Sequence, residues 1–129
     1  MNIIADANTF LVTALEEPEK PLIVSLSNGC ELFSPEILHY EIGNALIAMI
    51  RRKRLTYAEA KRAYQLTQVV PVKLLKPDLE VSLEIAYQYQ LYAYDAFYLQ
   101  CALQHQMPLL TLDKRMKQVA KQLSLTILE

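Results

Sequence analysis

Four acidic residues stand where acids are uncommon. Asp6 and Asp113 each follow directly on an apolar run of strand length, Asn2 to Ala5 and Pro108 to Leu112. In open α/β sheets the strand ends are where sites collect. Asp95 opens a helical stretch at Tyr94-Asp95-Ala96, and Glu41 has Leu38, Ile42 and Ala45 as helical neighbours, at the margin of a stripe that should be buried. A carboxylate there is costly unless something compensates it. Each acid also has a plain structural explanation. Asp is a favoured N-cap, and Asp6, Asp95 and Asp113 all stand at helix starts; Glu41 could simply keep its charged head in water. Capping does not explain why three aspartates occupy ends expected to converge while a glutamate adjoins a core stripe. Gathered together, such carboxylates raise one another's pKa unless a cation is present. With two histidines and no cysteine in ligand spacing, an all-oxygen set favours Mg²⁺ or Mn²⁺ over zinc.

The elements that must position these acids are readable from the pattern. Asn2 to Ala5 predicts a buried first strand, followed by helices at about 8–16 and 19–28 and a second strand from Glu31 to Ser34. Ser34-Pro35 predicts an N-cap with proline at the first helical position. The helix it opens carries Leu38, Ile42, Ala45 and Met49 as a core stripe. Thr56 to Glu59 is a capping box, opening a helix to about Val69. A short strand at 72–75 comes next, then a helix from Pro77-Asp78 with Leu79, Leu83, Ala86 and Tyr87 on its inward face. A helix over about 94–106 turns Ala96, Leu99 and Leu103 inward. Pro108 to Leu112 is a late strand before a basic helix, and Leu125 to Leu128 is a candidate to close the sheet. Strands alternating with helices predict an α/β fold, a three-layer α/β/α sandwich around a mainly parallel sheet of four to five strands.

The whole chain of 129 residues suits one domain, 1–129, and 53% hydrophobic residues suffice for a core. Two glycines exclude Gly-rich phosphate cradles. Cys30 and Cys101 lie far apart, which argues against a zinc ribbon or disulfide scaffold and for two buried thiols in a reducing compartment. No run is long enough to span a bilayer and no leader pattern opens the chain, so a soluble, cytoplasmic protein without membrane contact is expected.

Four segments carry a resemblance that spans nearly the whole chain: Ile3-Ile4-Ala5-Asp6-Ala7-Asn8, Glu41-Ile42-Gly43-Asn44-Ala45-Leu46, Tyr92-Ala93-Tyr94-Asp95-Ala96-Phe97-Tyr98-Leu99 and Pro108-Leu109-Leu110-Thr111-Leu112-Asp113. In this order and spacing the sequence resembles a PIN-domain ribonuclease, and is most similar to the VapC-type toxin of VapBC toxin–antitoxin pairs. The resemblance implies a PIN-like fold in which Asp6, Glu41, Asp95 and Asp113 form the acidic centre of a Mg²⁺- or Mn²⁺-dependent endoribonuclease, with Asp6 and Asp95 as its main ligands. It implies supporting roles for Asn8 and Thr111, and Asn44, one turn after Glu41, could orient its carboxylate. In-line attack would leave a 3′-hydroxyl and a 5′-phosphate. The implied partners are an RNA substrate, a cognate small antitoxin that blocks the site, and a second copy of the chain in a homodimer.

Other features weigh in less directly. Arg51 and Arg52 begin the one dense basic run, and Lys114 and Arg115 adjoin Asp113. Such runs are commonly solvated helix ends; the alternative is a phosphate-contacting rim, for which Lys114 and Arg115 are the better placed. The tyrosines from Tyr87 to Tyr98 have helical spacing that favours packing over base stacking. A small acidic-site phosphatase of the haloacid-dehalogenase type needs a second Asp two residues after the first, where this chain has Asn8. A PIN-like RNA- or protein-binding module without catalysis would need eroded acids, and all four are present. The net charge of −1 hides three blocks: −6 over residues 1–50 (seven acids, one base), +7 over 51–76 (eight bases, one acid) and −2 over 77–129 (six acids, four bases). That total excludes a generic basic coat protein and still fits an acidic pocket with cations nearby.

Overall fold

A computed structural model describes residues Met1–Glu129. Strand β1 (Asn2–Ala5) sits inside a four-stranded sheet, with β2 (Glu31–Pro35) on one side and β4 (Leu109–Leu110) on the other; β3 (Lys73–Leu75) lies outside β2. All pairings are parallel, with Ile3 opposite Leu32, Ile4 opposite Leu109 and Ser34 opposite Leu74. Residues alternate across a strand, and here the alternation divides the core in two. Ile3, Ala5 and Leu110 enter one cluster, beneath α1 (Ala7–Ala14), α2 (Lys20–Ser27), α3 (Leu38–Arg51) and α4 (Tyr57–Gln68). Ile4 and Leu109 enter the other, beneath α5 (Leu79–Tyr89), α6 (Ala93–His105) and α7 (Lys114–Gln122). Helices on both faces of a parallel sheet make the three layers expected. No helix is long and apolar enough to cross a membrane.

Several local expectations hold and several are corrected. The capping box is present: Glu59 N–H donates to Thr56 and Thr56 N–H to Glu59. Ser34-Pro35, by contrast, does not open a helix. Pro35 ends β2, and the Ser34 hydroxyl donates to the Ala5 carbonyl at 2.6 Å, tying the ends of β1 and β2 together; α3 starts only at Leu38. On α3 the innermost stripe is Leu38, Ile42 and Leu46, with Ala45 and Met49 at its edge. The inward face of α5 is also different. Leu79, Leu83 and Tyr87 face solvent, and Ser82 and Ile85 are buried. Gln100 of α6 accepts from Asp78 N–H at 2.9 Å, which ties the start of α5 to α6, while the buried Ser82 hydroxyl donates back within α5 to the Asp78 carbonyl. The tail after α7 contributes one parallel bridge, Leu109 with Ile127, and no full strand.

Strand order β3-β2-β1-β4 means the chain departs from β1 to one side and returns on the other. Such a reversal opens a crevice at the carboxyl ends of the two strands that flank it. Asp6 leaves β1 into that crevice and Asp113 leaves β4 into it, with Thr111 buried just beneath.

Candidate functional site

The crevice is a cleft of about 300 Å³ whose walls include Asp6, Asn8, Glu41, Asp95, Tyr98 and Asp113. All four acids singled out by sequence are therefore brought together from four elements. Each also stands at a helix start: Asp6 caps α1, Asp113 caps α7, and Glu41 and Asp95 lie in the first turns of α3 and α6. The N-terminal end of a helix favours a negative charge by ~0.3–1 kcal/mol, so four such ends offset part of the repulsion among the four carboxylates.

Asp6 is the most enclosed, with 6% of its surface exposed. Its Oδ1 accepts from Thr9 N–H at 3.1 Å, and its Oδ2 accepts from the Thr111 hydroxyl. Burial pushes its pKa up to about 6; the bonds from Thr111 and Thr9 pull against this, while Asp113 and Glu41 add to the rise. Asp113 is exposed. Its Oδ1 accepts from Met116 N–H at 3.0 Å, and its own N–H donates to the Thr111 hydroxyl at 3.0 Å. Thr111 is thus a buried relay joining Asp6 to the backbone of Asp113. For these two aspartates capping and cleft placement are one arrangement, since the cap bond fixes the carboxylate's direction.

Asp95 is different. The N-cap of α6 is Tyr92, and no hydrogen bond holds the Asp95 carboxylate. The capping explanation therefore fails for it. Burial, then the neighbouring charge of Asp113, raises its pKa. Glu41 is half-buried and accepts a hydrogen bond from the Tyr98 hydroxyl at 2.6 Å. Burial raises its pKa, Tyr98 opposes that rise, and Asp95 adds to it. Tyr98 is 2% exposed. Burial, Glu41, Asp6 and Asp95 all push its pKa upward, so the hydroxyl stays a donor. The sequence alone reads Tyr98 as packing; the available signal was its place three residues after Asp95, on the same face of one helix.

The remaining predicted residues fall into two groups. Asn8 is exposed on the cleft wall, and Thr111 is buried behind it, where it supports Asp6. Asn44 is exposed and outside the cleft, where Ala45 forms the wall instead. Lys114 and Arg115 are exposed beyond Asp113. Arg115 is committed elsewhere, donating to the Tyr89 carbonyl at 2.8 Å and to Gln118. Arg51 and Arg52 are exposed at the far end of α3, ten and eleven residues past Glu41, which is about 15 Å along the helix axis. Cys30 and Cys101 are both free thiols; Cys101 is buried, and burial followed by Glu36 pushes it up to about 11. A larger hollow of about 620 Å³ lies under α1, α2 and α4 and contains none of the four acids.

Three of the four carboxylates have raised pKa values, and repulsion among the acids contributes to every one of the rises. This donor set, entirely hard oxygen, fits a hard divalent cation. No group of three His, Cys, Asp or Glu side chains closes round one point, so the acids line a cleft and do not form a cage. Mg²⁺ suits such a wall, because it keeps several waters and takes only one or two carboxylates directly.

Comparison with known proteins agrees with this architecture. A family profile described as PIN domain matches residues 3–122. The chain is similar to the protein in the crystal structure of PAE2754 from Pyrobaculum aerophilum, with a TM-score of 0.67 and 25% identity over 92% of this chain and 87% of that one. No curated protein sequence matches the chain.

Proposed function

The chain belongs to the PIN domain family, and from that premise we propose that it is a divalent-metal-dependent endoribonuclease of the VapC toxin type, folded as a single domain over residues 1–129. PIN domains are nuclease-type folds that typically use divalent ions. The observation that carries the reading is the convergence of Asp6, Glu41, Asp95 and Asp113, from four elements, on one cleft at the carboxyl ends of β1 and β4.

In this reading Asp6 and Asp95 hold Mg²⁺ or Mn²⁺, with Asp113 and Glu41 assisting. The ion supplies Lewis acidity toward water and toward the phosphodiester. The protein's own share is placement. Thr9 and Thr111 hold both oxygens of Asp6, and the helix starts offset part of the repulsion among the acids. Asn8 offers an amide on the cleft wall, and Lys114, beside Asp113, offers a cation to an incoming phosphate. Attack in line gives products ending in a 3′-hydroxyl and a 5′-phosphate. As a toxin, the chain has a small antitoxin that covers the cleft and forms a homodimer.

The decisive experiment incubates the purified chain with RNA. Cleavage that stops with EDTA and returns with Mg²⁺ or Mn²⁺ is the expected result. RNA binding without cleavage would make the chain a binding module, and phosphate release from small monoesters without chain cutting would make it a phosphatase. Co-purification with the product of an adjoining small reading frame, which abolishes cleavage, tests the toxin assignment.

A further inference from the structure

The two helical layers meet at the cleft through one side-chain bond. Glu41 belongs to α3, whose Leu38, Ile42 and Leu46 pack in the first core cluster; Tyr98 belongs to α6, whose Ala96, Leu99 and Ala102 pack in the second. These helices lie on opposite faces of the sheet, and the main packing of α6 is against α5, β1, β2 and α7. Across that divide Tyr98 Oη donates to Glu41 Oε1 at 2.6 Å. Oε1 has this one protein donor, and Oε2 has none.

We propose that Tyr98 is a positioning residue: its hydroxyl fixes Glu41 of one layer relative to Asp95 of the other, and leaves Glu41 Oε2 for the cation. The inference rests on the metal-dependent reading above. A buried tyrosine hydroxyl needs a partner, but a backbone carbonyl of its own layer would satisfy it equally well. The partner is instead a carboxylate on the cleft wall. Tyr98 follows Asp95 by three residues on α6, so one stretch of rigid helix carries both the free aspartate and the anchor for Glu41. The span between Glu41 and Asp95 is then set by helix geometry and one short bond. Without the hydroxyl, Glu41 keeps its place on α3 and loses its fixed side-chain direction. Partners that orient a metal ligand commonly contribute 10–100-fold to metal affinity.

The test is Tyr98→Phe, which removes one atom and keeps the ring in its packing. Mn²⁺ affinity is read by titration calorimetry, alongside melting temperature without metal and kcat and KM on an RNA oligonucleotide. The expected result is a ~10–100-fold weaker Mn²⁺ affinity and a lower kcat, with KM for RNA and the metal-free melting temperature little changed. On a Glu41→Ala background the same substitution should change neither affinity nor kcat further, because the group it positions is gone. Unchanged Mn²⁺ affinity in Tyr98→Phe, or a further loss on the Glu41→Ala background, overturns the assignment. If the parent chain neither binds Mn²⁺ nor cuts RNA, the nuclease reading falls first. If it does both and Tyr98→Phe matches it, only the positioning role falls.

Discussion

The two dense charge groups in this chain are assembled in opposite ways. The basic run from Arg51 to Arg54 is contiguous in sequence, yet it ends a helix about 15 Å beyond Glu41. Arg54 lies 3.9 Å from Glu17 in an ion pair, and Arg51 and Arg52 point into solvent. The acidic group is scattered from residue 6 to residue 113, and parallel strands with helix starts bring it to one cleft. Local repulsion along the basic run is relieved by water. Inside the cleft burial strips the water away, and burial first, with repulsion adding to it, raises the pKa values of Asp6, Glu41 and Asp95. Charge that the fold concentrates against its own stability is the better guide to function.

The largest test of that contrast is Asp95→Asn. Asp95 caps nothing and accepts no hydrogen bond, so the fold should survive with an unchanged circular dichroism spectrum. RNA cleavage should fall by ~10³-fold or more, the scale seen when one member of a concerted set is removed. Full activity in this variant would end the distinction between cleft and surface charge.

Next comes Asp6→Asn, where stability and activity should move in opposite directions. Asp6 titrates at about 6 in the folded chain against an ordinary 3.8. Below 3.8 it is protonated in both states and imposes no penalty. Between 3.8 and 6 the unfolded chain has lost the proton and the folded chain keeps it, so stability falls as pH rises. Above 6 the full cost, about 3 kcal/mol, is in place. The substituted amide carries no charge, and Thr111 can turn its hydroxyl to accept from it. Denaturant unfolding at pH 7 without metal should therefore show the variant more stable by ~1–3 kcal/mol, with the gain vanishing near pH 4. Excess Mg²⁺ should stabilise the parent and not the variant. A variant less stable than the parent at pH 7 would mean that Asp6 serves the fold more than the site.

How much of this was legible beforehand differs by element. Strand β1 is legible as a short apolar run ended by Asp6 and α4 by its capping box, whereas β2 shows only Leu32-Phe33 between polar residues and its Ser34-Pro35 end reads as a helix start. The acids were legible because a carboxylate directly after a buried strand needs a reason. The orientation of α5 was not. It is apolar on two faces, and the choice depends on Gln100, whose bond to Asp78 N–H exists only once α6 is in place. Asn44 and Ala45 show the same limit at smaller scale. Both lie near Glu41 on the helix surface, on opposite sides of it, and only the fold decides which side meets the cleft. Tyr98 was hidden because an aromatic at helical spacing reads as packing, and it does pack.

Thr111→Val sharpens the comparison within the cleft itself. It removes the donor to Asp6 Oδ2 and the acceptor for Asp113 N–H while preserving the buried methyl. Losing a bond that lowers the Asp6 pKa should raise that pKa further, so the acidic limb of the pH–rate profile should move to higher pH. Cleavage at pH 7 should drop ~10–100-fold, as for other supports of metal ligands.

The smallest effect belongs to the basic run. Charges about 15 Å from Glu41 act on a phosphate in the cleft only through solvent. The Debye length is ~8 Å at 0.15 M salt and ~30 Å at 0.01 M. Arg51→Ala with Arg52→Ala should therefore raise KM for a short RNA oligonucleotide severalfold at 0.01 M salt, and change it little at 0.15 M, with kcat unaffected at both. Direct phosphate contacts behave differently: they would lower the slope of log affinity against log salt by about 2 for the two arginines. A slope change of that size on a long RNA, persisting at 0.15 M salt, would place the run on the substrate path. Its contiguity in sequence would then count for function after all, and the contrast with the cleft would be one of distance along the RNA.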